Sequence, residues 1–81
     1  MTKYPQILRN VHVADKTHLA ASAVISEAIK RAEAELGETG RVLVRASGTE
    51  PLVRVMSEAQ DTAQAQRVVD ELVAVVEAEL N

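Results

Sequence analysis

At 81 residues with a formal net charge of −3, the chain permits one domain, residues 1–81, with a modest core, and it offers no broad basic surface for nucleic acid. The absence of cysteine excludes disulfides and thiolate metal sites, and a single aromatic residue, Tyr4, leaves no platform for stacking bases or sugar rings. The N-terminus lacks the apolar stretch of a signal peptide and no run is long enough to span a membrane, so cytoplasm is the simplest compartment.

The first apolar stretch, residues 4–13, reads as a strand, with Ile7, Val11 and Val13 on one parity and Leu8 on the other. Pro5 suits its start. His12 within it and His18 beyond it are not at a metal-ligand spacing with nearby carboxylates, so no metal site is expected. A polar connection, Asp15 to His18, leads to Val24, Ile25, Ala28, Ile29, Ala32 and Leu36, whose three- and four-residue spacing predicts an amphipathic helix that Gly37 ends. Gly37-Glu38-Thr39-Gly40 matches the GxxG pattern of RNA-clamping loops, but it joins a helix to a strand and carries an acid, which argues against that role.

A hairpin is predicted at 41–58, from the apolar runs Val42 to Val44 and Leu52 to Met56. If Arg45 lies opposite Arg54, then Leu43 and Met56 share their face while Val42, Val44, Val53 and Val55 fall on the other. The final helix starts at Asp61 or Thr62, with Asp61 and Gln64 at capping-box spacing, and carries the stripe Ala65, Val68, Val69, Leu72, Val73, Val76 and Leu80. The order β-α-β-β-α implies an α+β fold with two helices on one face of a small antiparallel-rich sheet.

The hairpin loop, Arg45-Ala46-Ser47-Gly48-Thr49-Glu50-Pro51, closed by Arg54, holds the residue types that grip a small oxyanion. Arginine offers a planar fork to two phosphate oxygens, Ser47 and Thr49 add hydroxyls, and Gly48 admits close backbone approach and positive φ. Pro51 stiffens the exit. The same residues are ordinary turn formers, and arginines on a strand face are commonly just solvated. Glu50 beside a phosphate would be repelled, so its carboxylate is expected either to turn away and pair with an arginine or a backbone N–H, or to lie free in solvent.

The run RASGTEPLVRVMSEA resembles the C-terminal phosphate-binding signature of the α-D-phosphohexomutases, in the form carried by the phosphoglucosamine mutase branch. Tyr4 to Leu8, Asn10-Val11, Glu35 to Gly37 and Gly40 to Leu43 extend the likeness to nearly the whole chain. The resemblance implies a TATA-binding-protein-like fold and the fourth domain of an enzyme that interconverts glucosamine 6-phosphate and glucosamine 1-phosphate through a phosphoserine and a 1,6-bisphosphate intermediate, assisted by Mg²⁺ bound elsewhere. In that family the last domain holds the non-reacting phosphate; carried over, Arg45, Ser47, Gly48 and Thr49 contact it and Arg54 supports them. The partners implied are these phosphosugars and the enzyme's other domains, with neither nucleic acid nor membrane involved. Neither the phosphoserine loop nor the aspartate-rich metal loop occurs here, so no catalytic residue is expected in this chain, which begins and ends as an excised domain would. Two other readings stay open: a stand-alone βαββα interaction module, and an anion sensor.

Overall fold

Three short runs of alternating branched residues and two longer runs with three- and four-residue spacing set the elements. The computed structural model describes residues 4–81: β1 (Gln6–His12), α1 (Ala23–Leu36), β2 (Arg41–Ala46), β3 (Leu52–Glu58) and α2 (Thr62–Leu80). Met1 to Lys3, part of the N-terminal segment read above, lie outside them. The polar connection before α1 folds into a 3-10 turn, Lys16–Ala21, and a second such turn, Gly37–Thr39, precedes β2. Neither has a periodicity that a sequence reading detects, since each spans at most two turns.

The strands form one antiparallel sheet in the order β1-β3-β2. Directly paired residues share a face. Toward the helices stand Ile7, Ser57 and Val42, then Arg9, Val55 and Val44, then Val11, Val53 and Ala46; Arg9, on the edge strand, reaches Asp70 of α2 at 3.2 Å. Away from them stand three full rows, Gln6–Glu58–Arg41, Leu8–Met56–Leu43 and Asn10–Arg54–Arg45, and the pair His12–Leu52 at the loop end. α2 lies over β1 and β3, α1 lies over β2, and the two helices touch each other. Both helices therefore cover one face, as the element order implied, and the face bearing Arg41, Arg45 and Arg54 is left uncovered.

The core is aliphatic. Val53 and Val55 of the central strand meet Ile25, Val68, Val69, Leu72 and Val76, all essentially inaccessible to water. Small branched side chains let helices and sheet approach closely without rings to fill gaps. Ser57 is a buried polar exception on this face, for its hydroxyl has no hydrogen-bond partner among the described residues. Val24, counted in the apolar stripe of the first helix, is 50% exposed while Ile25 beside it is 1% exposed, so the buried side of the first turn is set by Ile25, in line with Ala28, Ala32 and Leu36.

Caps fix the helix ends. Ser22 Oγ accepts the Ile25 amide at 3.2 Å and donates to Glu79 Oε1 at 3.2 Å, tying the start of α1 to the end of α2. Gly37, at φ +60°, closes α1 in a conformation that favours glycine, and its N–H donates to the Glu33 carbonyl. Asp61 caps α2 through the Ala63 amide rather than that of Gln64, so the expected capping box does not form, and Gln64 donates to Glu35 Oε2 at 3.4 Å. Arg67 converges on the same carboxylate, donating from Nη1 at 3.1 Å and from Nη2 to the other oxygen.

Two expectations follow. An added Cβ at Gly40 would lie 2.2 Å from the Glu58 carbonyl oxygen, a backbone atom of the central strand that cannot step aside. Gly40→Ala should destabilise the fold by about 1–3 kcal/mol, read from the denaturation midpoint. The Arg67 hydrogen bond holds the Glu35 carboxyl below its ordinary range. A depressed folded-state value means that this contact stabilises above the unfolded carboxylate range and is lost as pH falls through the folded value. An NMR titration should show Glu35 returning toward the ordinary range in Arg67→Ala and in high salt.

Candidate functional site

Strand parity places the site. Because β2 and β3 pair Arg45 directly with Arg54, two guanidiniums leave the uncovered face side by side at the end where the hairpin turns. Both are exposed. On the sheet, Arg9 and Arg41 each have a carboxylate within 4 Å, whereas among the described residues Arg45 and Arg54, like Arg31 on α1, have none. Together with Ala46, Ser47, Gly48 and Thr49 they line a concavity of about 580 Å³, whose floor is the apolar row Leu8, Met56 and Leu43. All five residues singled out from the sequence thus border one hollow.

The loop is shaped by a few directed bonds. Ser47 N–H donates to the Leu52 carbonyl at 2.9 Å, and Leu52 N–H donates to the Glu50 carbonyl at 2.8 Å, a tight reversal around Pro51 of the inverse γ kind that its fixed φ favours. Ser47 Oγ accepts the Glu50 amide at 3.4 Å. The amides of Gly48 and Thr49 donate to nothing among the described residues. Solvent-facing amides that are not used internally are what an incoming oxyanion can occupy.

Three details differ from expectation or extend it. Gly48 does not take positive φ, since the closure by Ser47, Leu52 and Pro51 needs no left-handed residue. A Cβ there would meet nothing within 4 Å, so what the glycine leaves is open space beside the free amides. Glu50 is exposed, and of the two placements expected it takes the solvent one: its carboxylate pairs with no arginine and no backbone N–H among the described residues.

The third is Lys16, which the sequence reading left within a polar connection. Its ammonium donates to the carbonyls of Ser47 at 2.6 Å and Glu50 at 2.9 Å. No spacing rule links residues 31 and 34 positions apart. Only the fold brings them together, through Val13 N–H on the Pro51 carbonyl at 3.0 Å. Asp15, next in line, caps the 3-10 turn, and the Thr17 hydroxyl and amide that it accepts hold its carboxyl below the usual range.

His12 and His18 are exposed, and among the described residues no three His, Cys, Asp or Glu side chains gather where they could hold a metal ion. No described helix is long and apolar enough to cross a membrane.

Comparison with known proteins places the fold in a family. Residues 8–75 match the family model described as phosphoglucomutase/phosphomannomutase, C-terminal domain. A phosphoglucosamine mutase of Desulforamulus reducens is 54% identical over 76 residues, 94% of this chain and 17% of that protein. One of Cellvibrio japonicus is 51% identical over all 81 residues, which are 18% of its length. The chain thus spans under a fifth of the curated relatives it matches. Among solved structures, the Aspergillus fumigatus N-acetylphosphoglucosamine mutase in complex with GlcNAc-6P and magnesium superposes with a TM-score of 0.84 at 26% identity, over 99% of this chain and 16% of that one. A serine-to-alanine variant of that enzyme with glucose 1,6-bisphosphate gives a TM-score of 0.86 at the same identity, over 99% of this chain and 16% of that one. On the family match and the shared architecture, the chain belongs to the phosphoglucomutase/phosphomannomutase C-terminal domain family of the α-D-phosphohexomutases.

Proposed function

We propose that residues 1–81 act as one domain, the phosphate-holding C-terminal unit of a larger phosphoglucosamine mutase, cytoplasmic and acting on glucosamine 6-phosphate, glucosamine 1-phosphate and their 1,6-bisphosphate. The observation that carries this is the pairing of Arg45 with Arg54 on the uncovered face, beside a loop whose Gly48 and Thr49 amides are unused. The sequence relatives are phosphoglucosamine mutases, and the complexes solved for the Aspergillus enzyme support the substrate class.

A phosphate monoester is largely dianionic at neutral pH, with a second pKa near about 6. Arg45 and Arg54 would meet its oxygens with planar forks, while the Ser47 and Thr49 hydroxyls and the Gly48 and Thr49 amides supply directed donors. In a mutase that moves a phosphoryl group through a phosphoserine, one phosphate of the bisphosphate must be held while the other reacts. Binding energy at the held phosphate positions the reacting one and favours closure of the cleft. A cradle that reads charge and shape serves either phosphate in turn and leaves the choice of sugar to other parts of the protein. Leu8 (60% accessible) and Leu43 (46%), exposed on either side of the half-buried Met56, support contact with those parts in the closed form. On this reading the phosphoryl acceptor and the magnesium ligands belong to other parts of the protein, and this unit binds the phosphate that is not reacting.

Two measurements test the reading. Inorganic phosphate or glucosamine 6-phosphate added at low salt should move the amide resonances of Ser47, Gly48 and Thr49, with a Kd on the order of millimolar, about −4 kcal/mol, and the response should vanish in Arg45→Ala. Silence at tens of millimolar would favour a βαββα interaction module. Like charges directly opposite across a sheet are destabilising by roughly 0.2–1 kcal/mol. Arg45→Thr should therefore raise the denaturation midpoint at low salt, with the gain shrinking as salt rises, while phosphate binding is lost. A lower midpoint would mean that the arginine stem packs on the sheet and is retained for stability.

A further inference from the structure

Lys16 approaches the hairpin loop from the side opposite the arginines. It borders a separate hollow of about 420 Å³ on the helix-covered side, with Leu19, Ile25, Val44 and Ala46 among its neighbours, and it is absent from the concavity that Arg45 and Arg54 line. Its ammonium is engaged by two neutral carbonyls, those of Ser47 and Glu50, and has no carboxylate partner among the described residues. Half-buried, it holds both ends of the segment 47–50 with charge-assisted bonds.

We propose that Lys16 is a positioning residue for the anion loop, setting the direction in which the free amides point. The reason is peptide geometry. Every described peptide bond is trans, and in a planar trans unit the C=O of one residue and the N–H of the next are opposed. Drawing the Ser47 carbonyl toward Lys16 on the helix side turns the Gly48 N–H toward the arginine side. Holding the Glu50 carbonyl fixes the other end, where Pro51 contributes no N–H. Between these points Gly48 is exposed, has free space around it and donates no internal bond, so little else restrains it. Lys16 itself stands on a braced segment: Val13 N–H donates to the Pro51 carbonyl, and the Ala14 and Asp15 amides donate to the Leu80 carbonyl at the end of α2.

The inference rests on the phosphate reading for its purpose, but the loop's order can be measured without ligand. On the ¹⁵N-labelled 81-residue chain, Lys16→Met should lower the heteronuclear NOE of Gly48 and Thr49, leave β2 and β3 unchanged, and weaken inorganic phosphate binding about tenfold. Lys16→Arg, which keeps donor and charge, should restore most of both. If Lys16→Met keeps a rigid loop and an unchanged Kd, the proposal is overturned; a weaker Kd with an unchanged NOE also overturns it, since Lys16 would then act by charge alone. If the wild-type chain ignores phosphate, the anion reading falls while the NOE comparison still decides whether Lys16 orders the loop. Should Lys16→Met fail to fold, the unmutated chain gives the answer: a cross-hydrogen-bond coupling between the Lys16 ammonium and the Ser47 carbonyl is expected, and its absence sinks the assignment.

Discussion

The antiparallel register between β2 and β3 is the constraint on which the rest depends. Side chains alternate along a strand, so pairing Arg45 with Arg54 also sends Val42, Val44, Val53 and Val55 to the opposite face together. A slip by one residue would bury a guanidinium and expose the valines. The hydrophobic core and the cationic end of the sheet are thus two results of one alignment. Burial of the valines holds the arginines together against their mutual repulsion, a force that no partner carboxylate among the described residues relieves.

Around that alignment the molecule separates support from recognition. The helices seal one face with aliphatic side chains, and the other face grades from the polar row Gln6–Glu58–Arg41 through an apolar row to the arginines and the loop. Gln6 Nε2 donates to Glu58 at 2.6 Å, so the far end is internally satisfied, while the loop end retains unused donors. Such a surface has a direction, with its unmet hydrogen-bonding capacity concentrated where a short, rigid reversal of the chain brings backbone amides forward.

Much of this was legible in the sequence, for identifiable reasons. The valine alternation announced the hairpin and its faces, and the stripe from Ala65 to Leu80 announced the last helix, because each pattern repeats over enough residues to be unambiguous. The arginines and the loop were legible as residue types and in the motif they form. What escaped was tertiary. Lys16 is joined to the loop by the packing of the segment before α1 against the hairpin; Gln64 finds the Glu35 carboxylate of the neighbouring helix in place of its own helix start; and Gly48, expected in a left-handed turn, sits in a closure made by its neighbours. Local rules name the options open to such side chains, and spatial neighbours choose among them.

The aliphatic core has an optical consequence. The chain contains no Trp or Phe, and its one aromatic ring of the tyrosine type, Tyr4, lies ahead of β1 and outside the core, so side-chain packing between helices and sheet carries no chromophore. Intrinsic fluorescence and near-ultraviolet dichroism report on the edge of the sheet alone. The interior speaks through its methyl groups, whose many valines and leucines make dispersed proton and carbon resonances the direct witness to whether the two layers are locked together.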